Sequence, residues 1–302
     1  MVFVAMFLGI TVSANSDGPT FVTPKQYSEY KINSDVVIKW NSPASTYGTV
    51  DHYIVAVRKF YSTEDVTDSS AGERIVNTIW PASSKTYTIG GSVLKNYYDA
   101  STSVYKYRKY RISIGAVMTD GTKRWSDHQY FYLVSHNTPV DKPISFHIYN
   151  GFTDESKEQI YYACQNWNNS LNIGREIVNT YPYSMGTNEI FENTEDGINI
   201  VTKRANYDKE YTMATIFSRT SSYQMREADI IVNTRYPWAN SSQVGKYNFY
   251  NSITHEMGHV VGLTDKYDSW AAEWTMYGVG SMNTSYKTTL ENQDILNGRS
   301  LF

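Results

Sequence analysis

The hydrophobic and polar positions of this 302-residue chain change their period near residue 137. Before that point, short runs of β-branched and aromatic residues recur between turn residues such as Asp120-Gly121. This pattern is typical of the antiparallel strands of a sandwich. The predicted strands are residues 36–40, 52–57, 86–89, 110–117 and 130–134. We therefore expect an all-β sandwich over residues 18–137, followed by a polar, proline-bearing linker at residues 138–143.

Beyond the linker, helical spacing alternates with strand-like runs, which predicts an α+β domain with a mixed sheet over residues 144–302. Ile160, Ala163, Cys164 and Trp167 form one apolar stripe of a helix predicted at residues 154–171. We expect Cys164 on this stripe to be a buried, small hydrophobic residue. The other predicted elements are strands at residues 144–149, 197–201, 214–217 and 228–233, a helix at 248–261, and a last helix opened by a capping box at 288–291, with Ile295 and Leu296 facing inward.

An apolar run at residues 2–12 precedes the small residues Ser13 and Ala14. The run is too short to span a bilayer and predicts a signal peptide over residues 1–14, with cleavage before Asn15. No lysine or arginine precedes it, which leaves two alternatives open, a longer leader or a buried strand. Cys164 is the one cysteine, so no intrachain disulfide can form. Export without disulfides suggests a protein secreted by a Gram-positive bacterium.

Composition and charge narrow the classes of function. The formal net charge is −3, with both signs interspersed and no long basic run, which argues against binding to nucleic acid or to a membrane surface. The 27 tyrosines, together with many Ser, Thr and Asn residues, favour strands and polar turns over helical bundles. We expect a monomer.

The sequence HEMGH at residues 255–259 carries the candidate chemistry. On a helix, His255 and His259 leave the same face one turn apart, which suits two nitrogen ligands of one Zn²⁺. Glu256 lies beside this line of ligands and can act as a general base on water that the zinc has acidified. Gly262 permits the left-handed backbone that ends a helix, and the following turn makes Asp265 a candidate third ligand.

Alternatives to this zinc site remain at the level of sequence. HExxH can occur by chance on a solvated helix face with two incidental histidines. Asp265 could instead cap the turn or bind calcium, while Asp268 or Glu273 completes the zinc site. A structural Ca²⁺ is therefore kept beside Zn²⁺ as a cofactor of the chain.

Residues 255–265 resemble the metzincin signature H-E-x-x-H-x-x-G-x-x-H, which is followed by a methionine turn. Asp265 stands where most metzincins have a third histidine, as in the snapalysin-like proteases. The resemblance implies a zinc endopeptidase with Glu256 as catalytic base and His255, His259 and Asp265 as metal ligands. It also implies that a protein or peptide substrate binds along a sheet edge, at residues 228–233 or a neighbouring strand.

The methionine turn has two candidates. Residues 280–286, with Met282, resemble the matrixin turn and are preferred, and Met276 is the alternative. Tyr286 or Tyr277 could support the oxyanion, although the tyrosine of such relatives stands two residues after the methionine, where this chain has another residue.

The first domain is similar to a fibronectin type III module, through a tryptophan in its early strand, a Tyr-x-Val strand, a Thr-Tyr-Thr-Ile strand and a Tyr-Arg-Ile strand. This similarity implies a fold and no chemistry. The domain is expected to be a spacer or to bind a surface, a polysaccharide or a protein. Two other functions stay open, namely a secreted adhesion protein whose metzincin domain is inactive, and a hydrolase of cell-wall peptides.

Overall fold

The computed structural model describes residues 17–60, 72–96, 109–134, 142–188, 195–219 and 224–302. The predicted signal peptide and residues 138–141 of the predicted linker lie outside the described residues. The described part of the chain up to residue 134 contains the following elements: β1 (Thr20–Thr23), β2 (Ser28–Tyr30), β3 (Val36–Asn41), β4 (Val50–Phe60), β5 (Glu73–Pro81), β6 (Thr86–Ile89), α1 (Gly91–Asn96), β7 (Lys109–Met118), β8 (Lys123–Trp125) and β9 (Gln129–Leu133).

These strands form two sheets that share a core, which we call the β-sandwich. One sheet has the order β1-β3-β6, and the other has the order β2-β9-β7-β4-β5, with β8 paired to β7. Val36, Ile38 and Trp40 of β3 are buried while the residues between them are exposed, as the period of a strand with one buried face requires. Trp40 packs edge-on against Tyr53 of β4, with ring centroids 5.2 Å apart. The prediction of a β-rich first part is confirmed.

The described residues after 142 contain a mixed sheet and three helices. The elements are β10 (Ile144–Ile148), α2 (Asp154–Leu171), β11 (Val178–Thr180), β12 (Ile200–Arg204), β13 (Met213–Arg219), β14 (Met225–Asn233), β15 (Trp238–Ala239), β16 (Tyr247–Asn248), α3 (Phe249–Val261) and α4 (Asn292–Arg299). The sheet order is β11-β10-β12-β14-β13. All of these pairings are parallel except that of β13, which runs antiparallel to β14.

This order decides which strand is the sheet edge. Of the two alternatives for the edge strand, residues 228–233 belong to β14, which lies between β12 and β13 and is not an edge. The neighbouring strand β13 is one edge of the described sheet, and β11 is the other. β14 pairs with β12 on one side, and the antiparallel strand β13 pairs with it on the other, so β14 lies inside the sheet.

Helix α2 supports α3. It spans the predicted residues, and the predicted stripe of Ile160, Ala163, Cys164 and Trp167 is fully buried. The indole Nε1 of Trp167 donates to the Thr254 carbonyl of α3 at 2.8 Å, so the two helices are held by a buried polar contact as well as by apolar packing. Burial raises the pKa of the Cys164 thiol, as expected for an unreactive core cysteine.

The predicted capping box at residues 288–291 is wrong. Helix α4 begins at Asn292, and the side chain of its N-cap residue, Glu291, makes no capping hydrogen bond. That carboxylate instead accepts hydrogen bonds from the backbone N–H and the hydroxyl of Thr275, at 2.8 and 2.9 Å. Leu296 is 56% exposed, because α4 buries the face that carries Asp294, Asn297 and Gly298. Among the described residues, no helix is both long and apolar enough to cross a membrane.

Candidate metal centre

Helix α3 holds the two histidines in a fixed relation. Its first turn is capped by Asn248, whose side chain accepts the Asn251 N–H. It ends at Gly262, which has φ 118° and donates to the carbonyls of Gly258 and His259. Such a backbone strongly favours glycine. Between these ends, His255 and His259 project from one face with their ring centroids 4.8 Å apart.

The turn after Gly262 brings Asp265 to the same point. Its Oδ1 lies 3.1 Å from Nε2 of His255 and 3.3 Å from Nε2 of His259. The three side chains offer one ligand atom each, all within 4.8 Å of one another. They are 13%, 16% and 20% exposed, so the cluster is sheltered but open to solvent on one side.

Backbone carbonyls set the orientation of both imidazoles. Nδ1 of His255 lies 2.6 Å from the Thr275 carbonyl, and Nδ1 of His259 lies 2.9 Å from the Leu263 carbonyl. A carbonyl only accepts, so each ring carries a proton on Nδ1 and directs Nε2 toward Asp265. This is the arrangement usual for metal-ligating histidines, whose outer partners fix the tautomer.

The Asp265 carboxylate fits a cation. Its Oδ2 accepts from the Tyr267 hydroxyl at 3.2 Å, whereas its buried Oδ1 has no hydrogen-bond partner among the described residues. Burial lowers the pKa of His259, but the Asp265 carboxylate outweighs this effect and raises that pKa to about 9. Burial opposes ionisation of Asp265, yet His259 and His255 hold its pKa well below the usual value. The cluster thus favours one positive charge between its three ligand atoms, and two nitrogens with one oxygen suit Zn²⁺.

Glu256 lies beside the cluster and is hydrogen-bonded to the edge strand β13. It is 6% exposed, and its Oε2 accepts a hydrogen bond from the Thr215 hydroxyl of β13 at 2.8 Å. The same hydroxyl lies 3.1 Å from the Glu256 carbonyl. Thr215 therefore links the carboxylate of the candidate base to the edge strand.

The cluster opens into a cavity of about 590 Å³. Residues 213–215 of β13 line one wall, and Tyr247, Tyr277, Val279 and Tyr286 are among the residues that line the rest. Both tyrosines predicted as oxyanion supports therefore border the cavity, and Tyr286 is 47% exposed. The ammonium of Lys287 lies 5.2 Å from the centre of the Tyr277 ring and donates to the Tyr277 carbonyl. These two contacts hold Tyr277 in place at the cavity wall.

Of the two methionine-turn candidates, the alternative Met276 packs on α3, and the preferred Met282 lies nearer the surface. Met276 is fully buried, whereas Met282 is 37% exposed. A Cβ on Gly258 would lie 2.2 Å from the Met276 sulfur, so this methionine packs directly against α3 between the two histidines. The cause is backbone pairing, because the Lys266 N–H donates to the Met276 carbonyl and the Gly278 N–H donates to the Lys266 carbonyl, both at 2.8 Å.

The alternative third ligands lie elsewhere. The Asp268 carboxylate binds the ammonium of Lys109 and accepts from the Tyr132 hydroxyl at 2.9 Å, and Glu273 is exposed. Among the described residues, neither joins the histidine cluster. Sequence reasoning missed Thr215 and Thr275. Thr215 lies within a strand that the sequence predicts, which was a weak signal. No local pattern in the sequence indicates the role of Thr275.

Comparisons with known proteins identify no family for this chain. No protein-family model matches it, and no curated protein matches it. Solved structures that align include pectate lyase PelI from Erwinia chrysanthemi in complex with tetragalacturonic acid, at 11% identity, TM-score 0.23 and coverage of 43% of this chain and 31% of that chain. This chain therefore spans about a third of the length of that enzyme.

The structural neighbours also include fibronectin III-like domains. The fibronectin(III)-like modules of Clostridium thermocellum CbhA align at 12% identity and TM-score 0.23, covering 38% of this chain and 94% of that one. The third fibronectin III domain of the human KIAA0343 protein aligns at 11% identity and TM-score 0.22, covering 36% and 86%. At these TM-scores the similarities carry no argument about the fold or activity of this chain.

Proposed function

We propose that this chain is a secreted, zinc-dependent endopeptidase of the metzincin type, similar to the matrixin and snapalysin-like enzymes. One observation carries the proposal, namely the convergence of His255, His259 and Asp265 on one point, with Glu256 beside them in a cavity bordered by an edge strand. Chance placement of an HExxH sequence on a helix would not bring a carboxylate oxygen within 3.3 Å of both Nε2 atoms.

The chemistry is hydrolysis of a peptide bond. A zinc ion bound by the three side chains would supply Lewis acidity at the scissile carbonyl and acidify water. Glu256 takes a proton from the attacking water and delivers it to the leaving amine. The Thr215 hydroxyl holds the Glu256 carboxylate in place for this proton transfer.

The substrate is a peptide in extended conformation. β13 is one edge of the described sheet and borders the cavity, so its outer backbone groups can pair with an added strand. Recognition through backbone groups tolerates many sequences, which suits an endopeptidase. The first part of the chain would be the fibronectin III-like module, and the enzyme would act as a monomer.

The test is cleavage of casein by the chain from Asn15 onward, with Glu256→Gln as the inactive variant and Glu273→Gln as the matched control. We expect the wild type and Glu273→Gln to cleave casein, a chelator to abolish cleavage, and added Zn²⁺ to restore it. Glu256→Gln should bind zinc but lose about 10²–10⁴-fold in kcat. Zinc binding without cleavage of casein or of a cell-wall peptide would contradict the proposal and favour the adhesion protein.

A further inference from the structure

The β-sandwich contacts the segment that carries the third ligand. Glu29 of β2 is 2% exposed, and its carboxylate reaches residues on both sides of Asp265. One oxygen accepts from the ammonium of Lys266, and the other accepts from the backbone N–H of Thr264 at 3.3 Å. A single carboxylate therefore binds the residue before Asp265 and the residue after it.

Lys266 joins Glu29 to the floor of the metal site. Its side chain is fully buried, and its ammonium also donates to the carbonyl and hydroxyl of Thr264, at 2.9 and 3.1 Å. Its backbone pairs with Met276 and Gly278, the strip that packs beneath the histidines. Since every ammonium donor has an acceptor and the charge is paired, this buried group meets the conditions under which an ion pair specifies a geometry.

Two further contacts extend the interface along the same segment. Asp268 binds Lys109 and Tyr132 of the sandwich. The Tyr27 ring stacks on Trp270, with centroids 3.6 Å apart and an angle of 18° between the rings. The sandwich thus contacts the segment at residues 264, 266, 268 and 270, which surround Asp265 and follow it in sequence.

The segment needs such contacts because it has little regular structure of its own. Between the end of α3 and Gly278 it contains one 3-10 turn, at Ser269–Ala271, and a single bridge between Lys266 and Tyr277. Backbone without a helix or strand ladder is fixed by whatever binds its polar groups. Glu29 is one of those groups at residue 264, where it accepts the backbone N–H, and at residue 266 it binds the side-chain ammonium.

We propose that Glu29 is a positioning residue for the zinc site, which holds Asp265 against His255 and His259 through the residues on either side. The β-sandwich then supports the geometry of the metal centre and is not a detachable targeting module. This inference rests on the proposed zinc site, but it concerns metal affinity and does not require that the substrate be a protein.

The experiment replaces the buried pair by apolar residues of similar volume, Glu29→Met with Lys266→Met, in the full chain. Exchange of a buried ion pair for such residues is often neutral or better for stability, so the double variant separates positioning from folding. The control is Lys59→Met with Glu73→Met, a pair that joins β4 and β5 of the same sandwich at 2.9 Å and has side chains that are 10% and 59% exposed. Each protein is assayed for Zn²⁺ affinity by competition with a chromophoric chelator, for melting temperature without metal, and for kcat and KM.

We expect Glu29→Met/Lys266→Met to keep the melting temperature of the metal-free chain and to lose about 10–100-fold in Zn²⁺ affinity, as outer-shell changes do. With zinc loaded, kcat should fall more than KM rises. The control pair should leave Zn²⁺ affinity unchanged. Glu29→Gln keeps an acceptor for the Thr264 N–H and should lose less Zn²⁺ affinity than Glu29→Ala. If the double variant does not fold, the comparison of these two single variants tests the proposal.

Zn²⁺ affinity equal to wild type in a folded double variant, or in Glu29→Gln and Glu29→Ala alike, would overturn the proposal. A wild-type chain that binds no zinc would overturn the metal site itself and this inference with it. A wild type that binds zinc but cleaves no casein would contradict only the proposed endopeptidase activity. The comparison of Zn²⁺ affinities would still test whether Glu29 positions Asp265.

Discussion

Helix α3 supplies two of the clustered ligand atoms, and the segment at residues 263–278 supplies the third. The helix is held by its own hydrogen bonds, by Asn248 and Gly262 at its ends, and by α2 against its buried face. The segment is held by side chains from distant parts of the chain, among them Glu29 of the sandwich and Glu291 before α4.

The difference shows how a precise site can be assembled from unequal parts. The helix gives two ligands whose spacing follows from its repeat, although the Thr275 carbonyl of the segment orients the His255 ring. The segment gives one ligand whose position depends on buried polar contacts that are lost together when the segment moves. Damage to the two regions should therefore differ in kind, and the following changes test this from the largest expected effect to the smallest.

Removal of a ligand from either region should have the largest effect. His259→Ala and Asp265→Ala should each lower Zn²⁺ affinity by more than the roughly 10–100-fold typical of outer-shell changes, because each removes a direct metal ligand. The check is equilibrium competition with a chelator. Glu273→Ala is the control and should bind zinc as the wild type does. Wild-type affinity in Asp265→Ala would show that the third ligand lies elsewhere.

Titration of Asp294 should act on the segment and spare the helix. This carboxyl lies below the segment and accepts from the Met276 N–H at 3.3 Å. Burial raises its pKa to about 7, although Lys266 opposes the shift. Because the folded pKa is above the unfolded one, its contribution to stability is full below about pH 4 and is lost as the pH rises toward 7, at up to ~1.4 kcal/mol per pH unit.

Asp294→Asn should therefore flatten the dependence of unfolding free energy on pH between about 4 and 7, the window set by the unfolded and folded pKa values. Urea unfolding of the metal-free protein at several pH values measures this. Parallel curves for wild type and variant would show that Asp294 does not titrate in this window.

A methyl group added at the contact between α3 and the segment should lower the free energy of unfolding by a somewhat smaller amount. In Gly258→Ala the new Cβ would meet the Met276 sulfur at 2.2 Å and Trp167 at 2.8 Å. We expect a loss of about 1–3 kcal/mol in the free energy of unfolding and weaker zinc binding, because the Thr275 carbonyl that orients His255 is displaced with Met276. Gly90→Ala is the control, since its Cβ would meet nothing closer than 3.7 Å. Equal stability of the two variants would contradict the tight packing of Met276 on α3.

The smallest effect on zinc binding should come from the loss of the Thr215 hydroxyl, which binds the candidate base. Thr215→Val removes the hydrogen bond to Glu256 while keeping the branched shape of the side chain. A hydrogen bond to a charged group contributes about 1.5–3 kcal/mol, so kcat should fall by about 10- to 150-fold, with Zn²⁺ affinity unchanged. Thr215→Ser keeps a hydroxyl and should retain most of the activity. A drop in metal affinity in Thr215→Val would mean that the edge strand supports the ligands as well as the base.

Sequence patterns predicted the regular elements that bear the site. The stripe of α2 lies where its period indicates, and α3 begins one residue after the predicted start and ends at Gly262. The pattern failed where elements are too short to show a period, as in β2 with its three residues, which carries Glu29. The pattern also left open which strand forms the sheet edge and which methionine packs on α3, because strand order and burial depend on pairing partners rather than on the segment itself.

The sequence by itself determined that His255, Glu256 and His259 share one helix and that the helix ends at Gly262, because these relations follow from a backbone repeat over a few residues. Only the tertiary structure decided that Thr215 meets Glu256, that Met276 lies beneath the histidines, and that Glu29 binds the flanks of Asp265 across 235 positions of sequence. Contacts of that range depend on how separate sheets and helices pack, and no local period encodes their packing.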